Sequence, residues 1–167
     1  MLFLSIFKKI NKKRLTIKKI TYIMSWYYKN QLVEQLPENI VGFVYEITNN
    51  ISGKKYIGKK LAFFSKTTYR MVTLKNGTKK RKRIRSQVPS DWPTYWGSNR
   101  ELQEDVKTLG ESNFTREILF YCYSKSECSY IELREQILRQ VLESDNYYNG
   151  IIQVKIHKNH IKSLRPS

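Results

Sequence analysis

Val41–Lys60 reads VGFVYEITNNISGKKYIGKK, two short apolar runs around a polar turn. Val41–Thr48 is rich in β-branched and aromatic residues and reads as a strand. Asn49, Asn50, Ser52 and Gly53 carry the turn, and Lys54–Gly58 is the return strand. Each run holds a tyrosine. Tyr45 and Tyr56 lie eleven residues apart, and Gly58 closes the second run. A hairpin of this shape keeps two phenols close together on a rigid sheet. Tyrosine packs into strands without any chemical role, so the hairpin gains meaning from its surroundings. From Lys54 to Ser90 the chain has thirteen Lys and Arg and no acid.

The bulk composition points the same way. The chain has 167 residues, enough for one domain with a tail. At 40% hydrophobic and 13% aromatic it can build a real core. The formal net charge of +17 repels itself and calls for a polyanionic partner: nucleic acid, an anionic membrane or the ribosome. A merely solvated cationic surface is the plain alternative. The two cysteines, Cys122 and Cys128, make no disulfide scaffold. With His157 and His160 they do not have the spacing of a zinc site. Residues 1–23 hold seven basic residues and no acid. Their apolar-then-basic order is the reverse of a secretory signal. They read either as a basic arm or as a start assigned too early, with Met24 as the true beginning. No apolar run is long enough for a membrane span, so no membrane partner is expected.

Further along, 61–69 fits a short helix or an irregular loop. MVTLKNGTKKRKRIRS then reads as a second hairpin around Asn76-Gly77, both residues being able to take positive φ. On its return arm Arg81, Arg83 and Arg85 share one face, and Lys80, Lys82 and Ile84 the other. A ribbon with cations on both faces is no core element, and such ribbons enter DNA grooves. Ser98–Glu101 is a capping box for a helix with Leu102, Val106 and Leu109 on its apolar face, ended by Gly110. Alternate apolar positions from Phe114 to Phe120 mark a third strand. A second capping box, Ser124–Glu127, opens a helix to about Glu143, and 151–156 is a candidate last strand.

On that second helix Ile131, Leu138 and Leu142 define an apolar stripe, and Glu135 falls on it. Glu132 goes with Gln136, Arg139 and Glu143 on the polar face. A carboxylate facing the core must be paired, hydrogen-bonded or bound to a metal. Glu135 is therefore either half of a structural ion pair or a ligand for Mg²⁺, which would neutralise charge on a phosphate.

At this point the chain resembles the GIY-YIG nuclease family. Tyr56-Ile57-Gly58 matches its second element, and Phe43-Val44-Tyr45 stands where Gly-Ile-Tyr is usual, the tyrosine retained. Arg134-Glu135-Gln136-Ile137 is similar to the helix that carries the family's metal-binding glutamate. Tyr147-Tyr148-Asn149 resembles the segment that supplies its asparagine. Trp92, Tyr95, Gly97 and Ser98 form a W-x-x-Y-x-G-S segment similar to that of phage-encoded, homing-type members. The resemblance implies an α+β fold: a small three-stranded antiparallel sheet flanked by helices, here with an inserted basic β-hairpin. It also implies a single divalent metal, Mg²⁺ or Mn²⁺, and hydrolysis of one DNA strand per site. Tyr45 would hold or deprotonate the attacking water, Tyr56 would support it, Glu135 would bind the metal and Asn149 would steady the site. The family's phosphate-stabilising arginine, expected on a helix after YIG, maps to Arg70 or to Lys66. The homing-type histidine has no counterpart, and Tyr95 could stand in its place.

The expected layout is a basic extension at 1–40, a nuclease domain at 41–156 with its insertion at about 66–90, and a tail at 157–167. Lys59, Lys60, Lys80, Arg81, Lys82, Arg83, Arg85 and Tyr95 are the expected DNA contacts. The expected function is metal-dependent cleavage of double-stranded DNA, homing-type or restriction-like, with no small-molecule substrate. Dimerisation on DNA would give double-strand breaks, and a phage-encoded enzyme would act in the host cytoplasm. The rival is a non-catalytic basic nucleic-acid-binding protein.

Overall fold

The computed structural model describes residues 25–157. The basic arm at 1–23 and the tail beyond His157 lie outside the described residues.

The architecture is α+β. Its main sheet has five strands in the order β2-β1-β7-β3-β4. They are β1 (Trp26–Tyr28), β2 (Gln31–Val33), β3 (Gly42–Asn49), β4 (Lys55–Leu61) and β7 (Phe114–Cys122). At its heart β7, β3 and β4 run antiparallel, the three-stranded unit expected from the sequence. The sheet continues upstream of residue 41, because β1 pairs parallel with β7 and turns into β2. Lys29 and Asn30 make that turn at φ 50° and 63°, the backbone that a two-residue hairpin loop needs.

β3 is buried on both faces, and its alternation serves two cores. Phe43, Tyr45 and Ile47 join Trp26, Phe114, Ile118 and Tyr148 on one face. There helix α1 (Arg100–Leu109) buries Leu102 and Val106. Val44 joins Ile57, Cys122, Cys128, Ile131 and Val141 on the other, under helix α2 (Lys125–Leu138). Both helices start as their caps dictate. Asn99, one residue later than expected, accepts from Leu102 N, and Ser124 accepts from Glu127 N. Gly110 ends α1 at φ 88°.

Four expectations change. Residues 61–69 form neither helix nor loop: after β4 the chain enters β5 (Phe63–Thr73) at once. β5 pairs only with β6 (Lys79–Pro89), and each strand is eleven residues long. At Asn76-Gly77 only Gly77 takes a positive φ, 79°, and the loop is five residues, with Gly77 N bonded to Leu74 O and Leu74 N to Thr78 O. Residues 151–156 form no strand, and α2 stops at Leu138 rather than near Glu143.

The β5–β6 ribbon is exposed along nearly its whole length. Eleven residues per strand give it a length of about 35 Å. A two-stranded ribbon is marginal alone, so its base is tied down. Ser90 N donates to Ala62 O (2.9 Å) and Ser90 Oγ to Leu61 O (2.6 Å). Among the described residues no helix is long and apolar enough to cross a membrane.

Candidate active site

Tyr45 stands opposite Gly58 across the β3–β4 pair, and Tyr56 opposite Ile47. Tyr45 is 1% exposed. Its ring meets Trp26 edge-on at 5.1 Å, Tyr56 at 6.1 Å and Tyr95 at 6.2 Å. The ring lies over Gly58. A Cβ at 58 would fall 2.5 Å from the Tyr45 hydroxyl and 2.8 Å from Tyr56 Cε1. The glycine of Y-I-G is thus required by the phenols packed around it.

The W-x-x-Y-x-G-S segment brings two more hydroxyls. The Tyr95 ring meets Tyr45 edge-on at 6.2 Å, and its phenol feels the Tyr45 and Ser98 hydroxyls. Ser98 Oγ lies 3.1 Å from the Tyr56 hydroxyl. Tyr56 and Ser98 are thus joined directly, with the Tyr45 and Tyr95 phenols packed beside them. Burial pushes Tyr45 well above the usual phenol range, helped by Tyr56, and burial raises Tyr95 as well. Both are protonated donors at neutral pH.

The segment is held from behind by Arg116, a residue to which the sequence gave no role. Its Nη1 donates to Pro93 O (3.0 Å) and Tyr95 O (3.1 Å). Its guanidinium stacks on Trp96 at 4.2 Å and faces Trp26 at 4.8 Å. Nε and Nη2 are buried with no hydrogen-bond partner among the described residues. Desolvation lowers the group to about 10, against a small opposing pull from Glu111. The two indole faces replace the missing acceptors.

Lys59 and Lys60 point to opposite faces of β4. Lys60 is on the phenol side, 3.5 Å from the Tyr95 ring centroid and 2.6 Å from Asp91, whose carboxyl it holds below the usual range. Lys59 is on the α2 side, 2.6 Å from Glu132 Oε2. Glu132 is the acid of this site. It lines a cleft of about 410 Å³ at the edge of β4 together with Tyr56, Lys59, Ser98, Arg100, Gln136 and Asn149, and its charge helps to raise Tyr45.

Glu135 is elsewhere. It is buried against the sheet, as its place after Ile131 suggested, but its oxygens are occupied. Arg134 Nη2 reaches Oε1 at 3.1 Å, and Arg139 Nη2 reaches Oε2 at 3.3 Å. Arg139 also donates to Glu46 at 2.9 Å. Glu135 does not line the cleft. The expected stripe misled because α2 ends at Leu138, which is 71% exposed, and Leu142 is 52% exposed. The buried residues of the helix are Glu127, Cys128, Ile131, Glu135 and Gln136. Glu132, one residue round the helix, looks into the cleft. Its i, i+4 relation to Gln136 was the available signal.

Asn149 works at the edge of the sheet. Its Oδ1 accepts from Ile57 N (2.9 Å) and its Nδ2 donates to Ile57 O (2.8 Å). One side chain thus copies a strand partner beside Tyr56, reinforced by Gln136 Nε2 on the same carbonyl at 3.2 Å. Replacing Asn149 by Ala removes both bonds. We expect a loss of about 1–3 kcal/mol in stability, measured by urea unfolding, with Asn149→Asp in between because it cannot donate to Ile57 O.

The structure therefore gathers Tyr45, Tyr56, Lys59, Lys60, Tyr95 and Asn149, and adds Glu132, Ser98 and Arg100. Lys66 and Arg70 are not among them. Since no helix follows Y-I-G, they stand on the exposed ribbon, opposite Ser86 and Lys82. Lys80, Arg81, Lys82, Arg83 and Arg85 are on the same ribbon. Among the described residues no metal-ligating cluster of three or more His, Cys, Asp or Glu occurs. The donor set still suits a hard ion such as Mg²⁺, which takes one or two carboxylates and completes its shell with water and substrate phosphate.

A family model described as the GIY-YIG domain of the putative endonuclease segE matches residues 26–152, beginning at the first residue of β1. The chain is 36% identical over 107 residues to a protein of Enterobacteria phage T4 named putative endonuclease segE. The match covers 64% of this chain and 39% of that relative, so the chain spans about two fifths of the relative's length. No solved structure matches.

Proposed function

Since the chain belongs to the GIY-YIG endonuclease family, we propose that it hydrolyses phosphodiester bonds in double-stranded DNA, with Mg²⁺ or Mn²⁺ held by Glu132. The observation that carries this reading is the meeting of Glu132, Lys59, Tyr56 and Ser98 in one cleft beside the buried phenol of Tyr45. A protein that only coats DNA has no use for a carboxylate at the centre of its cationic surface, where it would repel phosphate. A divalent ion bound there would polarise the phosphate and neutralise charge built up in the transition state.

The residues of the chain do the rest. Lys59 and Arg100 present cations to the phosphate from the rim of the cleft. The Tyr56 and Ser98 hydroxyls, 3.1 Å apart on the wall of the cleft, orient the attacking water, with the protonated Tyr45 packed behind Tyr56, and the water's proton passes to solvent in the open cleft. Lys60 is tied to Asp91 and keeps positive potential against the ring of Tyr95. Asn149 and Arg116 act as positioning residues, the first on Tyr56 through the β4 edge, the second on Tyr95 through its carbonyl.

The cations of the ribbon give the enzyme its hold on DNA. Four lysines on and beside β4 have acidic partners: Lys54 with Glu101, Lys55 with Glu46, Lys59 with Glu132 and Lys60 with Asp91. Among the described residues no ion pair involves the ribbon's cations. We place the enzyme among phage-type nucleases acting in a host cytoplasm, on the source of its relative.

The test is incubation with several supercoiled plasmids, with Mg²⁺ and then with chelator. Nicking or linearisation that requires the ion is the expected result. Tight binding to every plasmid with no scission at any Mg²⁺ concentration would instead leave the non-catalytic binder.

A further inference from the structure

Ribbon and groove match in size. A two-stranded ribbon with its side chains is about 10 Å across, which fits the roughly 12 Å major groove of B-DNA and not the roughly 6 Å minor groove. Its length of about 35 Å is close to one turn of the duplex.

Its two faces differ in chemistry, which the strand register makes plain. Thr67 stands opposite Arg85, Tyr69 opposite Arg83 and Met71 opposite Arg81. On this face every arginine has an uncharged neighbour across the ribbon. The Arg81 guanidinium sits 4.0 Å from the Tyr69 ring centroid, which holds its plane in advance of binding. The other face carries Lys66, Arg70, Lys80 and Lys82, with Arg70 directly opposite Lys82. Two cations set against each other repel unless a phosphate lies close. Arginine offers a planar fork that matches two acceptors, whereas lysine is a point charge on a long stem. The first face is thus suited to base edges and the second to the sugar-phosphate walls.

We infer that the β5–β6 ribbon is the sequence-reading element of this protein: it lies in the major groove with Arg81, Arg83 and Arg85 towards the floor, reading guanines through O6 and N7. Thr67 and Met71 give the same face apolar contact for thymine methyls. Lys66, Lys80 and Lys82 reach back to the phosphates on the walls. This rests on double-stranded DNA being the substrate, but not on cleavage.

The experiment measures binding in chelator, so that no scission intervenes. The full chain selects from a pool of randomised duplexes, beside two variants, R81K/R83K/R85K and K66Q/K80Q/K82Q. The wild type should enrich a guanine-containing site. Replacing a selected guanine by 7-deazaguanine, which lacks N7, should weaken binding roughly 5- to 150-fold for each guanine read. The triple Arg→Lys variant keeps its charge, so it should retain the salt dependence and lose the enrichment. The triple Lys→Gln variant should enrich the same site with the salt slope flattened by around 0.9 for each lost phosphate contact. The inference is overturned if the wild type binds without enriching any sequence, if it does not bind duplex DNA, or if the Arg→Lys variant selects the wild-type site. A protein that selects a site in chelator and never cuts with Mg²⁺ would overturn the nuclease reading alone.

Discussion

Glu132→Gln should lower the rate of Mg²⁺-dependent plasmid nicking by about 10²- to 10⁴-fold while leaving binding in chelator intact. The size follows from the role. A metal held against the scissile phosphate contributes several kcal/mol of transition-state stabilisation, and each 1.36 kcal/mol is tenfold in rate. The amide keeps the volume and removes the charge. It also frees Lys59, which now bonds Glu132 at 2.6 Å, so phosphate affinity in chelator should hold or rise. Glu135→Gln should behave in the opposite way. It loosens an ion-pair cluster that joins Arg134, Arg139 and Glu46. Because Arg139 is about one-third exposed, solvent moderates the loss to about 1–2 kcal/mol of stability, with the rate changed less than about tenfold. The two variants side by side, each measured for unfolding and for nicking, assign the two acids.

The second large effect is expected at Gly58. An Ala there places its Cβ 2.5 Å from Tyr45 Oη, 2.7 Å from Tyr45 Cζ and 2.8 Å from Tyr56 Cε1. Neither ring can retreat. Tyr45 is packed by Trp26, Phe43 and Tyr95, and Tyr56 lies against Gly97, where a Cβ would already be 3.1 Å away. Overpacking of this kind costs about 1–3 kcal/mol. Displacing a reacting group by about 1 Å can cost about 10²-fold in rate. Gly58→Ala should therefore lower the melting temperature and nearly abolish cutting. Gly53→Ala is the control. Gly53 has φ 76° and open space around it, so that variant loses stability through backbone strain, about 1–2 kcal/mol, with the cutting rate of the folded protein unchanged.

How much of this could be read from the chain depended on how local each signal is. The β3–β4 hairpin was legible because its strands carry β-branched and aromatic runs and its turn carries Asn and Gly. The starts of both helices were legible within one residue because capping is a short-range code. β1 and β2 were missed, since three residues show no alternation and Lys29-Asn30 is a weak turn signal. What makes them strands is Trp26, which packs on Phe43 and Tyr45. β5 was half missed because Thr67, Thr68 and Tyr69 favour a strand, but nothing local says that a ribbon extends into solvent with no sheet to join.

The site shows the same division. Tyr45 and Tyr56 could be placed by their spacing along the chain, and Asn149 by the resemblance of Tyr147-Tyr148-Asn149 to a family segment. Glu132 and Glu135 sit three residues apart on one helix, and choosing between them needs the direction of the cleft, which is a tertiary fact. Lys66 and Arg70 were expected on a helix that the ribbon replaces. Arg116 gave no sign of its role: the period of two puts it on the buried face with Phe114 and Ile118, where a lone arginine is unexpected. Trp26 and Trp96 take up its guanidinium there.

The most direct measurement is the anomalous signal of Mn²⁺ in crystals of the protein with a DNA duplex. One ion is expected on a Glu132 oxygen, with Lys59 released from that carboxylate. An ion coordinated by Glu135, or a bound duplex whose phosphates stay remote from Glu132 with the Lys59 pair intact, would contradict it.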